Sequence, residues 1–288
     1  MILSSLLFQL LALLTGLLLA KKVIANNPST LTFEEAYQKS KLLWVISILS
    51  ITIILVNSFA FHYDAFFLTF PLLYQKYAMV ITWVVIIAYM AFMSGFTLYV
   101  THKLEAKKFK TYLLALLILN VALFINHYQK NAYGGAEVKE HNASERFIKQ
   151  STNFSCTSAS ICTVARGFDM NVSEKKVAQL SRLTSLGANA GQVRFALDKL
   201  GIKYHSLTAQ FTNPNSIKAP AILYVDNPIV GFEGHAIVYF GKSHYGYKIW
   251  DPVGLNIYLS EEELRAIWHG NGVECSYEEH SSKVSSIF

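Results

Sequence analysis

Residues 1–126 contain no arginine and only four acidic residues, Glu34, Glu35, Asp64 and Glu105. So small a supply of charge excludes the solvated surface of an ordinary soluble domain from this half of the chain. The nine lysines there leave a net charge of +5, whereas residues 127–288 hold sixteen basic against fifteen acidic side chains. The pI near 9.0 therefore comes from lysines that flank apolar segments, not from a basic face on a folded domain. That distribution speaks for membrane topology and against nucleic-acid binding. Cysteine is also scarce, with three in 288 residues. Cys156 and Cys162 are too far apart for a CxxC redox pair or a zinc knuckle, and no histidine pair at i, i+4 adds ligands, so no metal is expected. Gly241-Lys242-Ser243 imitates the end of a phosphate loop, but Ala236 stands where the Walker spacing requires glycine, and no other cofactor motif is present.

What the sequence does have is apolar length. Hydrophobic residues make up 52% of the chain and mean hydropathy is +0.31. Four apolar runs, at about 2–20, 42–61, 78–100 and 111–128, approach the ~20 residues needed to cross a bilayer core, and each is read as a transmembrane helix. The first lacks a basic n-region, because Lys21 and Lys22 follow it, so it reads as an uncleaved anchor with a signal peptide as the alternative. The loops at 21–41 and 101–110 carry Lys21, Lys22, Lys39 and Lys41, and Lys103, Lys107, Lys108 and Lys110. Such loops are retained in the cytoplasm. Four spans then put the N-terminus and the C-terminal domain on the far side. The 62–77 loop, with Phe66, Phe67 and Phe70, reads as an interfacial aromatic belt; His62 and Asp64 sit at a span end and make no ion pathway. Residues 129–147 read as a polar linker. The organisation expected is residues 1–128 as an all-α membrane region, then the linker, then a domain over 148–288.

The second half carries the chemistry. Gln150-Ser-Thr-Asn-Phe-Ser-Cys156 leads into a helix in which Ile161, Val164, Ala165 and Phe168 recur at helical spacing, with Ser155 as N-cap and Gly167 as terminator. Cys156 then sits in the first turn, where unpaired backbone N–H groups and the positive dipole end favour a thiolate. Cys162 is better explained as a buried core residue. Further on, Gly234-His235 opens a strand running to Gly241, and Tyr247-Lys-Ile-Trp-Asp251-Pro252 closes a second one, with Lys242–Gly246 as hairpin. Antiparallel pairing would bring His235 to Asp251, an imidazole beside an orienting carboxylate. Gln150 is the candidate side-chain donor for an oxyanion, joined by the backbone N–H of Cys156. The expected domain is α+β, with helices at about 156–166, 174–184 and 190–200. An antiparallel sheet follows over 202–208, 220–226, 235–242, 245–251 and 255–259, and a last helix is started by the capping box at Ser260–Glu263.

These residues bring a family into view. Gln150, five residues, Cys156, then His235 on a strand, then Asp251-Pro-Val-Gly254 resembles the bacteriocin-processing peptidases that cleave double-glycine leaders, over residues 147–270. Leu186-Gly-Ala-Asn-Ala-Gly191 before the helix at 192–200, Pro220–Val225 and Trp268-His-Gly270 add to the likeness. The resemblance implies a papain-like fold, Cys156 as nucleophile, His235 as base and then acid, Asp251 as orienter and Gln150 as oxyanion donor. It also implies a peptide precursor cut after small residues such as glycine, a bacterial cell membrane, and an exporter-like partner. Ser155 and Thr157 depart from the acidic or asparagine residue and the glycine that usually flank the cysteine, and no ATPase is fused here. Two other classes stay open: a catalytically inactive peptide-binding receptor, and an acyl-transferring or deamidating enzyme on the same scaffold. Cys162 and Cys275 remain a disulfide option in an oxidising compartment.

Overall fold

A computed structural model describes residues 2–26, 32–62, 70–104, 109–131, 134–140, 145–208, 213–226 and 233–277. The chain divides into two compact units, one of residues 1–63 and 77–129, the other of residues 64–76 and 130–288.

The first unit is helical. Its long elements are α1 (Ile2–Asn26), α3 (Lys41–His62), α4 (Leu72–Leu104, from Tyr77 onward) and α5 (Phe109–Asn131). A short α2 (Phe33–Gln38) precedes α3 and is started by Thr32, whose side chain accepts the Glu35 amide. Residues 33–38, part of the 21–41 loop expected from the apolar runs, form this helix. Within α1 and α4 respectively, Gln9–Asn26 and Val80–Leu104 are long and apolar enough to cross a membrane, and Lys41–Val56 and Phe109–Leu123 are shorter apolar stretches. About four spans were expected; among the described residues two helices are both long and apolar enough. Glycine makes the closest contact in this unit. A Cβ on Gly16 would lie 2.1 Å from the Phe92 carbonyl oxygen, and one on Gly95 would lie 2.1 Å from that of Leu13. Small residues of this kind let apolar helices approach backbone to backbone. Polar side chains pair between helices, Tyr89 donating to Ser47 at 3.1 Å and Asn120 to Ser94 at 2.7 Å. Leu10, Leu14, Leu18, Val45, Ile48, Leu117 and Ile118 face outward. A rim this apolar marks a surface that meets something other than water. Asp64, Phe66, Phe67, Lys107 and Lys108 lie outside the described residues.

The second unit is a six-stranded antiparallel sheet with helices. In chain order it has α6 (Cys156–Gly167), α7 (Glu174–Ser181), α8 (Ala190–Lys199), β1 (Lys203–Leu207), β2 (Ala221–Asp226), β3 (Glu233–Ser243), β4 (Gly246–Asp251), β5 (Leu255–Leu259), α9 (Glu261–Ile267) and β6 (Trp268–Ser276). The strand order is β1-β6-β2-β3-β4-β5. One core joins α6 and α8 to one face of the sheet through Ile161, Val164, Val193, Leu197, Ile222, Val238 and Val273. The other face packs Leu223, Ile237, Ile249 and Tyr247 against Leu264 of α9 and Trp268. Alternation of these side chains along β2 and β3 is what a sheet buried on both faces demands.

Several expectations need correction. The sequence reading had five strands and took Trp268-His-Gly270 as a closing element, yet β6 runs on to Ser276 and lies between β1 and β2. Gly270 and Gly272 hid it: they read as a turn, whereas Gly272 is where the Ile222 carbonyl oxygen comes within 2.5 Å of a would-be Cβ. The β3–β4 hairpin is tighter than 242–246, with Ser243 paired to Gly246 across His244 and Tyr245. Helix α7 stops at Ser181 rather than 184 because Arg182 takes a left-handed conformation, φ 54°. Gly167 does not provide the reversal after α6; Asp169 does, at φ 59°. Within the stretch read as linker, Gly134 N donates to the Leu183 carbonyl and Val138 packs on Ala178 and Leu183. The capping box of α9 is present, with Ser260 and Glu263 each accepting the other's backbone N–H, and α8 carries a second one, Asn189 with Gln192. Gln75 and Lys76 belong to this unit: Lys76 Nζ donates to the Leu180 carbonyl at 2.8 Å and Arg194 Nε to Gln75 Oε1 at 2.9 Å.

Candidate active site

Cys156 is the first residue of α6, so it sits among backbone N–H groups that have no partner within the helix. Ser155 occupies the N-cap position but does not cap with its side chain. Its hydroxyl turns back instead, accepting from Thr152 N at 3.1 Å and donating to the Thr152 carbonyl at 3.2 Å. The amides of the first turn are thereby left to other acceptors, and Cys156 keeps 7% of its surface exposed.

His235 opens toward this helix end from β3. Its Nε2 lies 2.7 Å from Asp251 Oδ1, with the two side chains 9% and 20% exposed. Because Nε2 is committed to Asp251, Nδ1 is the ring nitrogen left for the Cys156 thiol, which is among the groups that raise the histidine's pKa. Asp251 ends β4 and is itself fixed: Oδ1 also accepts the Val253 amide at 3.0 Å, and the Gly254 amide donates to the Asp251 carbonyl at 2.9 Å. An Asx turn of this sort holds a carboxylate in one rotamer. Gly254 completes it at φ +108°, a conformation glycine adopts without penalty.

Gln150 lies on the strand-like approach to α6, half-buried. Its backbone N–H donates to the Pro252 carbonyl at 2.7 Å, which ties it to the turn that holds Asp251. Its side-chain Nε2 donates to the Thr152 carbonyl at 3.0 Å. A carboxamide nitrogen carries two hydrogens, so the second stays available. Beneath this segment, Ile148 accepts from Trp250 Nε1 at 3.2 Å and donates to Thr163 Oγ1 at 3.0 Å. The sequence reading singled out neither Trp250 nor Thr163. Trp250 carried a visible signal, an indole directly before Asp251, but its partner is a backbone carbonyl 102 residues away.

Electrostatics separate the three cysteines. Burial pushes the Cys162 and Cys275 thiols up to about 12, and Cys162 donates to the Val172 carbonyl at 3.1 Å. All three cysteines are free, so the Cys162–Cys275 disulfide option is not realised; both thiols are spent on the core next to α6. For His235, burial alone would lower the pKa, but the hydrogen bonds to Asp251 and Cys156 and the charges behind them outweigh it and raise it to about 9. The ring is thus held as an imidazolium at neutral pH. Thiol, imidazole and carboxylate in line are the components of an activated nucleophile.

Residues 144–280 match the family described as Peptidase C39 family. No curated protein matches the chain. Among solved structures, the peptidase domain of Streptococcus ComA, a bi-functional ABC transporter involved in a quorum sensing pathway, is similar at 23% identity and TM-score 0.40 over 45% of this chain and 96% of that one. A double glycine motif protease from an AMS/PCAT transporter, in complex with the leader peptide, is similar at 18% identity and TM-score 0.41 over 48% and 92%. The peptidase domain of Streptococcus mutans ComA aligns at 20% identity and TM-score 0.36 over 46% and 100%.

Two outcomes are expected. At neutral pH an alkylating reagent should modify Cys156 and leave Cys162 and Cys275 untouched in the folded protein, as read by peptide mass mapping; equal labelling of all three would contradict the site. The second concerns pH. A histidine raised from 6.5 to about 9 contributes stability in full below 6.5 that is lost as pH rises through 9. That contribution is on the order of 3 kcal/mol. Melting followed by tryptophan fluorescence should therefore weaken between those pH values in the wild type, and Asp251→Asn should flatten the dependence. Identical slopes would show that the pair does not form.

Proposed function

We propose, starting from a C39 cysteine peptidase domain at residues 144–280, that this protein cuts a peptide precursor at a membrane surface through a Cys156 acyl-enzyme. The observation that supports the reading most is the imidazole of His235, 2.7 Å from Asp251 on one nitrogen, with Cys156 at the start of a helix among the groups that raise its pKa. In the proposed cycle the Cys156 thiolate adds to the scissile carbonyl carbon. The oxyanion is met by the backbone N–H of Cys156 and the second N–H of Gln150. His235 gives its proton to the leaving nitrogen, the C–N bond breaks, and a thioester remains. Water, losing a proton to His235, then attacks the thioester; the acid departs and the thiolate–imidazolium pair returns. Asp251 keeps the ring oriented and balances its charge throughout.

Substrate class and setting belong to the same proposal. The resemblance to peptidases of double-glycine leaders favours cleavage after small residues, with a bacterial cell membrane as location and an exporter-like protein as partner. Four spans over residues 1–128, their lysine-rich loops cytoplasmic, would place the peptidase domain outside the cytoplasm. A reporter fused after residue 130 should then read extracytoplasmic, and one inserted in the 101–110 loop cytoplasmic; the opposite pattern sinks the orientation and leaves the chemistry standing.

The chemistry is tested by how the four residues fail. Cys156→Ala and His235→Ala should abolish turnover of a fluorogenic peptide ending in Gly-Gly while substrate still binds. Gln150→Ala should cost about 10²–10³ in kcat with KM little changed, because an oxyanion donor acts mainly in the transition state. Asp251→Asn should fall between, the ring held but in the wrong tautomer. Binding without turnover in the wild type would favour the inactive peptide-binding receptor instead.

A further inference from the structure

Glu174 is a glutamate in the first turn of α7 with no exposed surface. Acidic residues in that position usually face water and interact with the helix end. This helix already has its cap, because the Ser173 side chain accepts the Lys176 amide at 3.2 Å. The Glu174 carboxylate is directed elsewhere, onto Ser151. Its Oε1 accepts the Ser151 backbone N–H at 3.3 Å, and its Oε2 accepts the Ser151 hydroxyl. The same hydroxyl accepts the Lys139 amide at 3.1 Å. Burying a carboxylate is costly unless hydrogen bonds compensate, and two of these come from the residue next to Gln150.

Gln150 needs such a support. Its side chain is held by one hydrogen bond, Nε2 to the Thr152 carbonyl, while Oε1 is buried with no hydrogen-bond partner among the described residues. The aim of the carboxamide is therefore set by the backbone on either side of it. On one side that backbone is pinned to Pro252, at the turn that holds Asp251. On the other it is held first where Glu174 grips Ser151, and then one residue on, where Thr152 pairs with Ser155. We propose that Glu174 is a positioning residue: through Ser151 it fixes the loop that aims the Gln150 carboxamide beside Cys156. The inference rests on the oxyanion role proposed for Gln150 above, and it deepens that role by adding a helix from outside the site.

The experiment is a double-mutant cycle on the full chain in detergent, read by peptide turnover and by Cys156 alkylation. Glu174→Ala should lower kcat by about 10²-fold, approaching Gln150→Ala, with KM changed less than about twofold. In the Gln150→Ala background the same substitution should cost under about twofold, since a residue acting only through Gln150 has nothing left to position. Alkylation of Cys156 should keep its wild-type rate in both variants, which a general loosening of the fold would not allow. Glu174→Gln, which retains an acceptor for the Ser151 amide, should recover part of the rate. Where Glu174→Ala does not fold, Ser151→Ala carries the test: a fall of about fivefold in kcat that disappears in the Gln150→Ala background is expected. Wild-type turnover in these variants, a loss that multiplies with Gln150→Ala, or a parallel loss of alkylation overturns the inference while Gln150→Ala itself stays impaired. A fully active Gln150→Ala overturns the oxyanion assignment and this inference together.

Discussion

One carboxylate oxygen, Oδ1 of Asp251, accepts from the His235 ring at 2.7 Å and from the Val253 amide at 3.0 Å. The second bond fixes the first, because a carboxylate committed to its own turn cannot swing away from the imidazole. Around that atom the rest of the domain falls into order. The carbonyl of the neighbouring Pro252 accepts the Gln150 amide, the indole N–H of the preceding Trp250 donates to the Ile148 carbonyl, and the Ile148 amide in turn donates to Thr163 on α6. The end of one strand thus sets the ring, the approach loop and the helix that begins with Cys156. A change of one residue in the length of the Asp251–Gly254 turn would disturb all of them.

The two units of the chain distribute the same amino acids in opposite ways. In the sheet unit the large apolar side chains are inside, and the outward positions carry lysines, acids and tyrosines. In the helical unit leucines and isoleucines point outward and glycine, serine and tyrosine are placed between helices. Apolar helices of this composition associate through close backbone approach and interhelical hydrogen bonds. Gly16 and Gly95 meet the first need, Ser47 and Ser94 the second.

Much of this was legible in the sequence because the signals were local. Ser260 and Glu263 announced their helix, the Asp-Pro-Val-Gly run announced its turn, and the apolar spacing after Cys156 announced α6. His235 and Asp251 were paired in advance by elementary strand geometry, and the structure places them in contact. What was hidden was non-local or context-dependent. Strand β6 contains Gly-Asn-Gly, in which Gly272 makes room for the neighbouring backbone at Ile222 and Gly270 takes a left-handed φ of 94° without ending the strand. Ser155 has the right type and place for a cap, yet Thr152 competes for its hydroxyl. Glu174 looks like any solvated helix-start glutamate, since nothing nearby in sequence tells that Ser151 will be its partner. Gln150 was visible as a candidate, but the Thr152 carbonyl that takes its first N–H was not.

The position of β6 also has a bearing on the order in which the domain comes into being. β1 has one neighbour in the sheet, and that neighbour is the last strand: Lys203 pairs with Ser276 and Leu207 with Gly272. As the ribosome delivers the chain from the N-terminus, β1 is extruded long before anything exists for it to pair with, and β2 has β3 but lacks its other flank. The strand that carries His235 can join a hairpin early, through β2 and β4, while the sheet beneath α6 and α8 stays open down its middle. Contacts of such sequence separation form slowly because a long loop must close first. During that interval two strand edges face solvent unprotected. The domain's exposure to aggregation is therefore greatest during a period of its synthesis, before β6 joins β1 to β2.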